Sequence, residues 1–253
     1  MPVNFMRRLT GPERSAKANL VFGGFLAFVA GAVNAGGFLA VNQYTSHMSG
    51  IFSSVADNLV LGNGLLLIAG VGSLLAFVSG AATTAIMINW ARHRKLRSEY
   101  ALPLVTEAGL LLLFGLLGAT LQFHYAVTVP LTVLLLCYIM GLQNAIMSKM
   151  SNAEIRTTHV TGTITDLGIE LGRMLYWNRH HKRHTPGYVA SRSAKVTLYV
   201  TLLTAFFTGA VIGAIGFKHV GYVTVLPFAL ALIVAAAMPL LDDAVQLLRA
   251  GQR

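Results

Sequence analysis

Two polar hexapeptides, TSHMSG at Thr45 to Gly50 and TTHVTG at Thr157 to Gly162, set a histidine between hydroxyl residues and close on a glycine. Imidazole donates, accepts or titrates near neutral pH, hydroxyls do the first two, and glycine admits close approach to the backbone. Such a set either holds a polar or anionic solute by hydrogen bonds or satisfies the backbone of an irregular segment at membrane depth, and its recurrence favours the solute. Bond-making chemistry has no support, because HExxH, nucleophile-elbow and Cys-His metal patterns are absent from the sequence. Cys137 is the one cysteine, so neither an internal disulfide nor a thiolate cluster can form. The expectation is a non-enzyme without metal or cofactor, whose solute contacts are Asn34, Ser46, His47, Ser49 and Gly50 from one motif and Asn144, Thr158, His159, Thr161 and Gly162 from the other.

Acidic residues extend the chemistry. Asp57, Glu107, Asp166 and Glu170 fall inside apolar stretches or short helices beside them, where an ionisable group is costly and marks a cavity, a partner or an ion path. All four are candidates for proton coupling, Glu107 with a neighbouring histidine. The competing reading for Glu107 is a structural hydrogen bond to another span or a place near the membrane boundary. For Asp57, Asp166 and Glu170 it is a favourable position in the first two turns of a helix. Arg156 either attracts an anion or pairs with Glu154, and the RHHKRH run at Arg179 to His184 reads as a basic loop meeting lipid headgroups in preference to a metal site.

The elements that position these residues are membrane helices. The 253-residue chain is 55% hydrophobic and only 11% charged, with mean hydropathy +0.65, whereas soluble domains carry about a quarter charged residues. Six apolar stretches reach the roughly 20 residues that cross a bilayer: 19–42, 65–90, 101–122, 126–150, 195–217 and 221–241. The net charge of +10 is a topology signal and does not point to nucleic acid. Loops and termini on one side of a six-span chain hold sixteen of the nineteen Lys and Arg, while the opposite loops hold only Lys218. The positive-inside rule then puts both termini in the cytoplasm, as for a multi-pass protein of the bacterial inner membrane with lipid as its surroundings.

Further anchors accompany the hexapeptides. G-x-x-N-A precedes each, at Gly31, Asn34, Ala35 and at Gly141, Asn144, Ala145, and A-F-x-[ST]-G-A follows each, at Ala76 to Ala81 and Ala205 to Ala210. The same order twice indicates duplication within a single membrane domain, residues 1–253, with one copy over about 19–122 and the other over about 126–241. Three spans per copy is odd, so the second copy enters the membrane from the opposite side, giving an all-α, 3+3 inverted-topology repeat. The stretch after each hexapeptide is too short to cross a bilayer: IFSSVADNLVL ends at the Gly62-Asn63-Gly64 turn, and TITDLGIELGRML ends at a basic loop. Each motif therefore reads as a break followed by a half-helix, with Ser49 and Thr161 as N-caps and Thr163 with Asp166 as a capping box. Gly23, Ala27, Gly31 and Ala35 make a small-residue stripe on the first span, serving packing within the chain or, in the less favoured alternative, a homodimer.

The SHMSG run at Ser46 to Gly50, GLQNA at Gly141 to Ala145 and TTHVTGTITDL at Thr157 to Leu167 resemble the YoaK family of six-span bacterial membrane proteins, over nearly the whole chain. The resemblance implies the fold and the membrane location. Two positions depart from the family pattern: Asn34 stands where an acid is expected, which removes a candidate proton carrier, and Ile51 stands where an asparagine follows the motif. The functional expectation is a permease for a small solute, a small anion or weak acid, moved with or without protons. A passive channel of the same architecture is the runner-up, and a scaffold or sensor acting through the Arg173 to Lys195 loop is the reading from another class.

Overall fold

The computed structural model describes residues 16–96, 98–120, 125–151, 155, 157–176, 189–190 and 192–250. These form α1 (Ala16–Val41), α2 (Met48–Val60), α3 (Gly64–His93), α4 (Ala101–Thr120), α5 (Tyr125–Met150), α6 (Val160–Leu175), α7 (Ser193–His219), a 3-10 turn (Gly221–Thr224) and α8 (Val225–Ala250), with no strand among them. Six helical stretches are long and apolar enough to cross a membrane: Lys17–Val41, Gly64–His93, Ala101–Ala119, Val127–Met150, Ser193–His219 and Gly221–Asp243. The all-α, six-span expectation is met, with boundaries within three residues of those read from hydropathy. Arg156, Glu154 and the RHHKRH run lie outside the described residues.

Packing follows the repeated anchors. α1 packs on α7, α3 on α5 and α4 on α8, while α1 and α5 also meet. Gly24 lies against Thr201, Ala32 against Gly213 and Gly36 against Phe217, so α1 and α7 run parallel. Gly72 against Leu134 and Thr84 Oγ1 donating to the Leu142 carbonyl at 3.0 Å make α3 and α5 parallel too. Between the pairs the direction reverses, since Gly23 meets Met147 whereas Gly37 meets Leu136.

Glycine permits these close approaches. A Cβ at Gly31 would collide with the Phe206 carbonyl, and one at Gly209 with that of Phe28; in the other pair, Gly141 would collide with Phe77 and Gly80 with Tyr138. The anchor glycines are thus backbone contacts between helices, and the stripe on α1 is used inside the chain at Gly23 and Gly31. Leu65, Ile68, Leu75 and Val78 on α3 and Phe207 and Ile215 on α7 face outward, as lipid-facing helices require. At the basic end, Arg92 Nε donates to Glu99 Oε2 at 2.6 Å, and the Ser98 backbone N–H donates to Asp243 Oδ2 at 2.8 Å, tying the α3–α4 turn to α8.

Candidate functional site

Each hexapeptide is a place where the chain turns back on the helix it has just left. α1 ends at Val41, where Asn42 takes positive φ (53°), a conformation asparagine tolerates at a helix end. The Ser46 hydroxyl then donates to Asn34 Oδ1 at 2.8 Å, returning the chain by seven helical residues, about 10 Å along α1. α5 does the same: Asn144 Nδ2 donates to Thr158 Oγ1 at 2.6 Å. The helices that follow, α2 with 13 residues and α6 with 16, extend about 20 and 24 Å, short of the roughly 30 Å bilayer core. Gly62, at φ 71°, closes the tight turn from α2 into α3.

The caps differ from the sequence reading. His47 and His159 occupy the N-cap positions, α2 starts at Met48 and α6 at Val160, and neither cap makes a side-chain hydrogen bond. Ser49 and Thr161 are already helical, and Thr163 Oγ1 donates to the His159 carbonyl at 2.9 Å instead of forming a capping box with Asp166. The hydrogen bonds of Ser46 and Thr158 to the preceding helices bring each break to its end before the next hydroxyl residue is reached. Gly50 and Gly162 have a steric reason: a Cβ at Gly50 would stand 2.6 Å from His47 Nδ1, and one at Gly162 would collide with Nδ1 and Cε1 of His159. The imidazoles lie over the first turn of each helix, in space that only glycine leaves.

Both motifs border one cavity of about 1070 Å³. Asn34, Ser46, His47, Ser49, Asn144, Thr158, His159 and Thr161 all line it, while Gly50 and Gly162 sit beneath the histidines and do not. Phe77, Phe206, Phe38, Tyr44 and Ser148 complete much of the wall; the phenylalanine of each A-F-x-[ST]-G-A anchor was the sequence signal for the first two. No Lys, Arg, Asp or Glu is among the described lining residues, and the titratable side chains among them are His47, His159 and Tyr44. Thr45 and Thr157 are buried, each with a hydroxyl that has no partner among the described residues.

The four carboxylates stand elsewhere. Asp57 and Asp166 are exposed on α2 and α6, and neither helix has an acid in its first turn. Asp57 and Glu170 are three turns in, too far for the expected dipole benefit, which falls off within one turn. Glu170 receives the Arg192 backbone N–H at 3.0 Å and Arg173 Nη1 at 2.7 Å. Those partners, the Arg192 N–H first, hold its carboxyl below the usual carboxylate range. Glu107 is fully buried on α4, outside the cavity lining, with both oxygens unpartnered among the described residues.

Six membrane-length helices, with two fold-back breaks bordering a shared cavity, define a multi-pass membrane protein. The chain belongs to the family described as protein of unknown function (DUF1275), whose profile matches residues 22–238. It is 27% identical over 161 residues to the UPF0700 transmembrane protein YoaK of Bacillus subtilis (strain 168), covering 62% of this chain and 69% of that protein. No solved structure matches it significantly.

Proposed function

We propose that this protein is a permease for a small polar solute, built as a 3+3 inverted repeat, with its basic side in the cytoplasm of a bacterial inner membrane. The observation that carries the reading is the single cavity shared by His47 and His159, whose motifs approach from opposite ends of the bundle. Inverted repeats with interrupted segments meeting near the midplane are a recurrent transporter plan. The solute class follows from the wall. Without lining Lys, Arg, Asp or Glu among the described residues, a fully charged solute would lose its hydration with only the two helix N-termini in return. A weak acid, taken largely in protonated form, or a comparable neutral polar molecule fits better. Proton coupling, where it occurs, belongs to His47 and His159, since the carboxylates stand off the cavity.

The test is flux in proteoliposomes, using acetate, formate, chloride, urea and glycerol as probes. Saturable uptake of a weak acid, reduced at least about tenfold in His47→Ala and in His159→Ala as a lost hydrogen bond of about 1.4 kcal/mol would give, supports the permease. Flux linear in concentration supports a channel. Absence of flux for every probe, with a cytoplasmic partner lost on deleting the Arg173 to Lys195 loop, supports the scaffold.

A further inference from the structure

The cavity wall divides into two sets when the repeated motifs are superposed. One set lines it from both copies, as Asn34 with Asn144, His47 with His159 and Phe77 with Phe206. The other lines it from one copy alone: besides Tyr44, whose counterpart Arg156 lies outside the described residues, these are five helix residues, Ala35 and Leu39 on α1 and Ala210, Val211 and Ala214 on α7. All five belong to the half of the bundle away from the basic loops, between the motifs and the helix ends Val41 and His219. Their counterparts by sequence are Ala145 and Lys149 on α5 and Ala81, Ala82 and Ala85 on α3. These lie toward the basic-side ends Met150 and His93, and none of them lines the cavity.

We propose that those five counterparts form a second vestibule, which opens to the basic side when the present one closes. The physical ground is the crosswise packing. The α1–α7 and α3–α5 pairs share the glycine-to-carbonyl contacts of Gly31, Gly209, Gly141 and Gly80 in opposite directions, so an exchange of conformations between them keeps these four close approaches. Packed elements of this kind switch between discrete arrangements and do not deform gradually. The residues lined by both copies are then the solute shell common to both states, and the two sets of five are access routes. The routes differ in chemistry: Lys149 gives the second vestibule a cation in place of Leu39 in the first. This inference rests on the permease reading and adds to it the second opening.

Single cysteines at Ala210, Ala214, Ala81 and Ala85 test it, with the native Cys137 either kept, since it is fully buried, or changed in Cys137→Ala. A charged, membrane-impermeant thiol reagent is applied to vesicles of each orientation; it needs a water-exposed thiolate, so lipid-facing thiols stay unmodified. Expected is labelling of Ala214→Cys from the far side and of Ala85→Cys from the basic side. The latter is about 10- to 1000-fold slower, as for a state populated at roughly 0.1–10%. A bifunctional reagent that joins Ala210→Cys to Leu39→Cys closes the first vestibule and accelerates Ala85→Cys labelling. Unreactive Ala81→Cys and Ala85→Cys, or a rate indifferent to that cross-link, overturns the proposal. The readout needs no flux: alternating labelling without transport of any probe sinks the permease and leaves the second vestibule standing, and flux without Ala85→Cys labelling does the reverse.

Discussion

Around His47 the Ser46 hydroxyl donates to Asn34 Oδ1, whereas around His159 the Asn144 amide Nδ2 donates both to Thr158 Oγ1 and to the Met140 carbonyl at 2.9 Å. The same residue types close both fold-backs, but the direction of the hydrogen bond is reversed. The Asn34 Nδ2 and the Asn144 Oδ1 are left without partners among the described residues. The first half thus offers the cavity an amide donor and the second an acceptor. What the two halves hold in common is the closure of a break. What they hold separately is the polarity shown to a solute, and a molecule with one acceptor and one donor, such as a protonated carboxylic acid, is suited to meeting both.

The largest effects should come from breaking what the halves share. Gly31→Ala and Gly141→Ala each drive a Cβ into a backbone carbonyl on the facing helix, Phe206 and Phe77 respectively. A carbonyl in a helix has no rotamer to escape to, so each variant should lose about 1–3 kcal/mol, the usual cost of overpacking. Thermal or denaturant unfolding in detergent measures it. Gly168→Ala and Gly172→Ala are the controls, since nothing lies within 4 Å of an added Cβ there, and in a helix interior they should gain about 0.5–1 kcal/mol. Equal losses at Gly31 and Gly141 sharpen the equivalence of the two helix pairs; a loss at one alone breaks it.

Much of this equivalence was legible in the sequence, for a physical reason. A helix must be long and apolar to cross lipid, so the spans show in composition alone, and a glycine under a helix crossing cannot be replaced, so Gly31, Gly80, Gly141 and Gly209 stood out as anchors. Which helices meet is another matter. The pairing of α1 with α7, one helix from each set of anchors, depends on three-dimensional complementarity that no local pattern encodes. The N-caps were misplaced for a related reason: Ser49 and Thr161 obey the rule for helices that begin in water, while Ser46 and Thr158 answer to asparagines on the preceding helices. Phe77 and Phe206 were visible as repeated residues but not as cavity wall, because an aromatic in a membrane span packs in most environments. That the four carboxylates stand off the cavity wall was not legible either, since a charged residue at membrane depth shows its cost in the sequence and not its surroundings.

A smaller effect separates the halves by their polarity. Asn34→Asp keeps an oxygen to accept the Ser46 hydroxyl, so its stability should stay within about 1 kcal/mol of wild type, the value of one ordinary hydrogen bond. Asn144→Asp removes the amide that donates to Met140 and sets a carboxylate oxygen against that carbonyl, at a cost of about 1–3 kcal/mol, as for an acceptor left unpaired. Unfolding midpoints of the two variants, compared side by side, decide the matter. Equal destabilisation would show that the reversed hydrogen bond does not distinguish the two sites, and the donor-and-acceptor argument for the solute would go with it.

The smallest effect is expected where the two halves share nothing. The third and sixth spans share a Leu-Pro pair, at Leu102-Pro103 and Leu226-Pro227; four residues beyond the first stands Glu107 and four beyond the second stands Ala231, so in this register the carboxyl has no counterpart to alternate with. It is buried on α4, off the cavity wall, whereas both histidines reach the wall from equivalent places. Glu107→Gln should therefore leave the pH dependence of flux where it is, with stability altered by no more than about 1 kcal/mol, because one neutral-capable polar group replaces another in the same site. His47→Gln and His159→Gln, which keep hydrogen bonding but cannot titrate, should flatten the same pH profile. If Glu107→Gln flattens it and the histidine variants do not, the proton path runs through α4, and the cavity shared by the two motifs is a passage for solute alone.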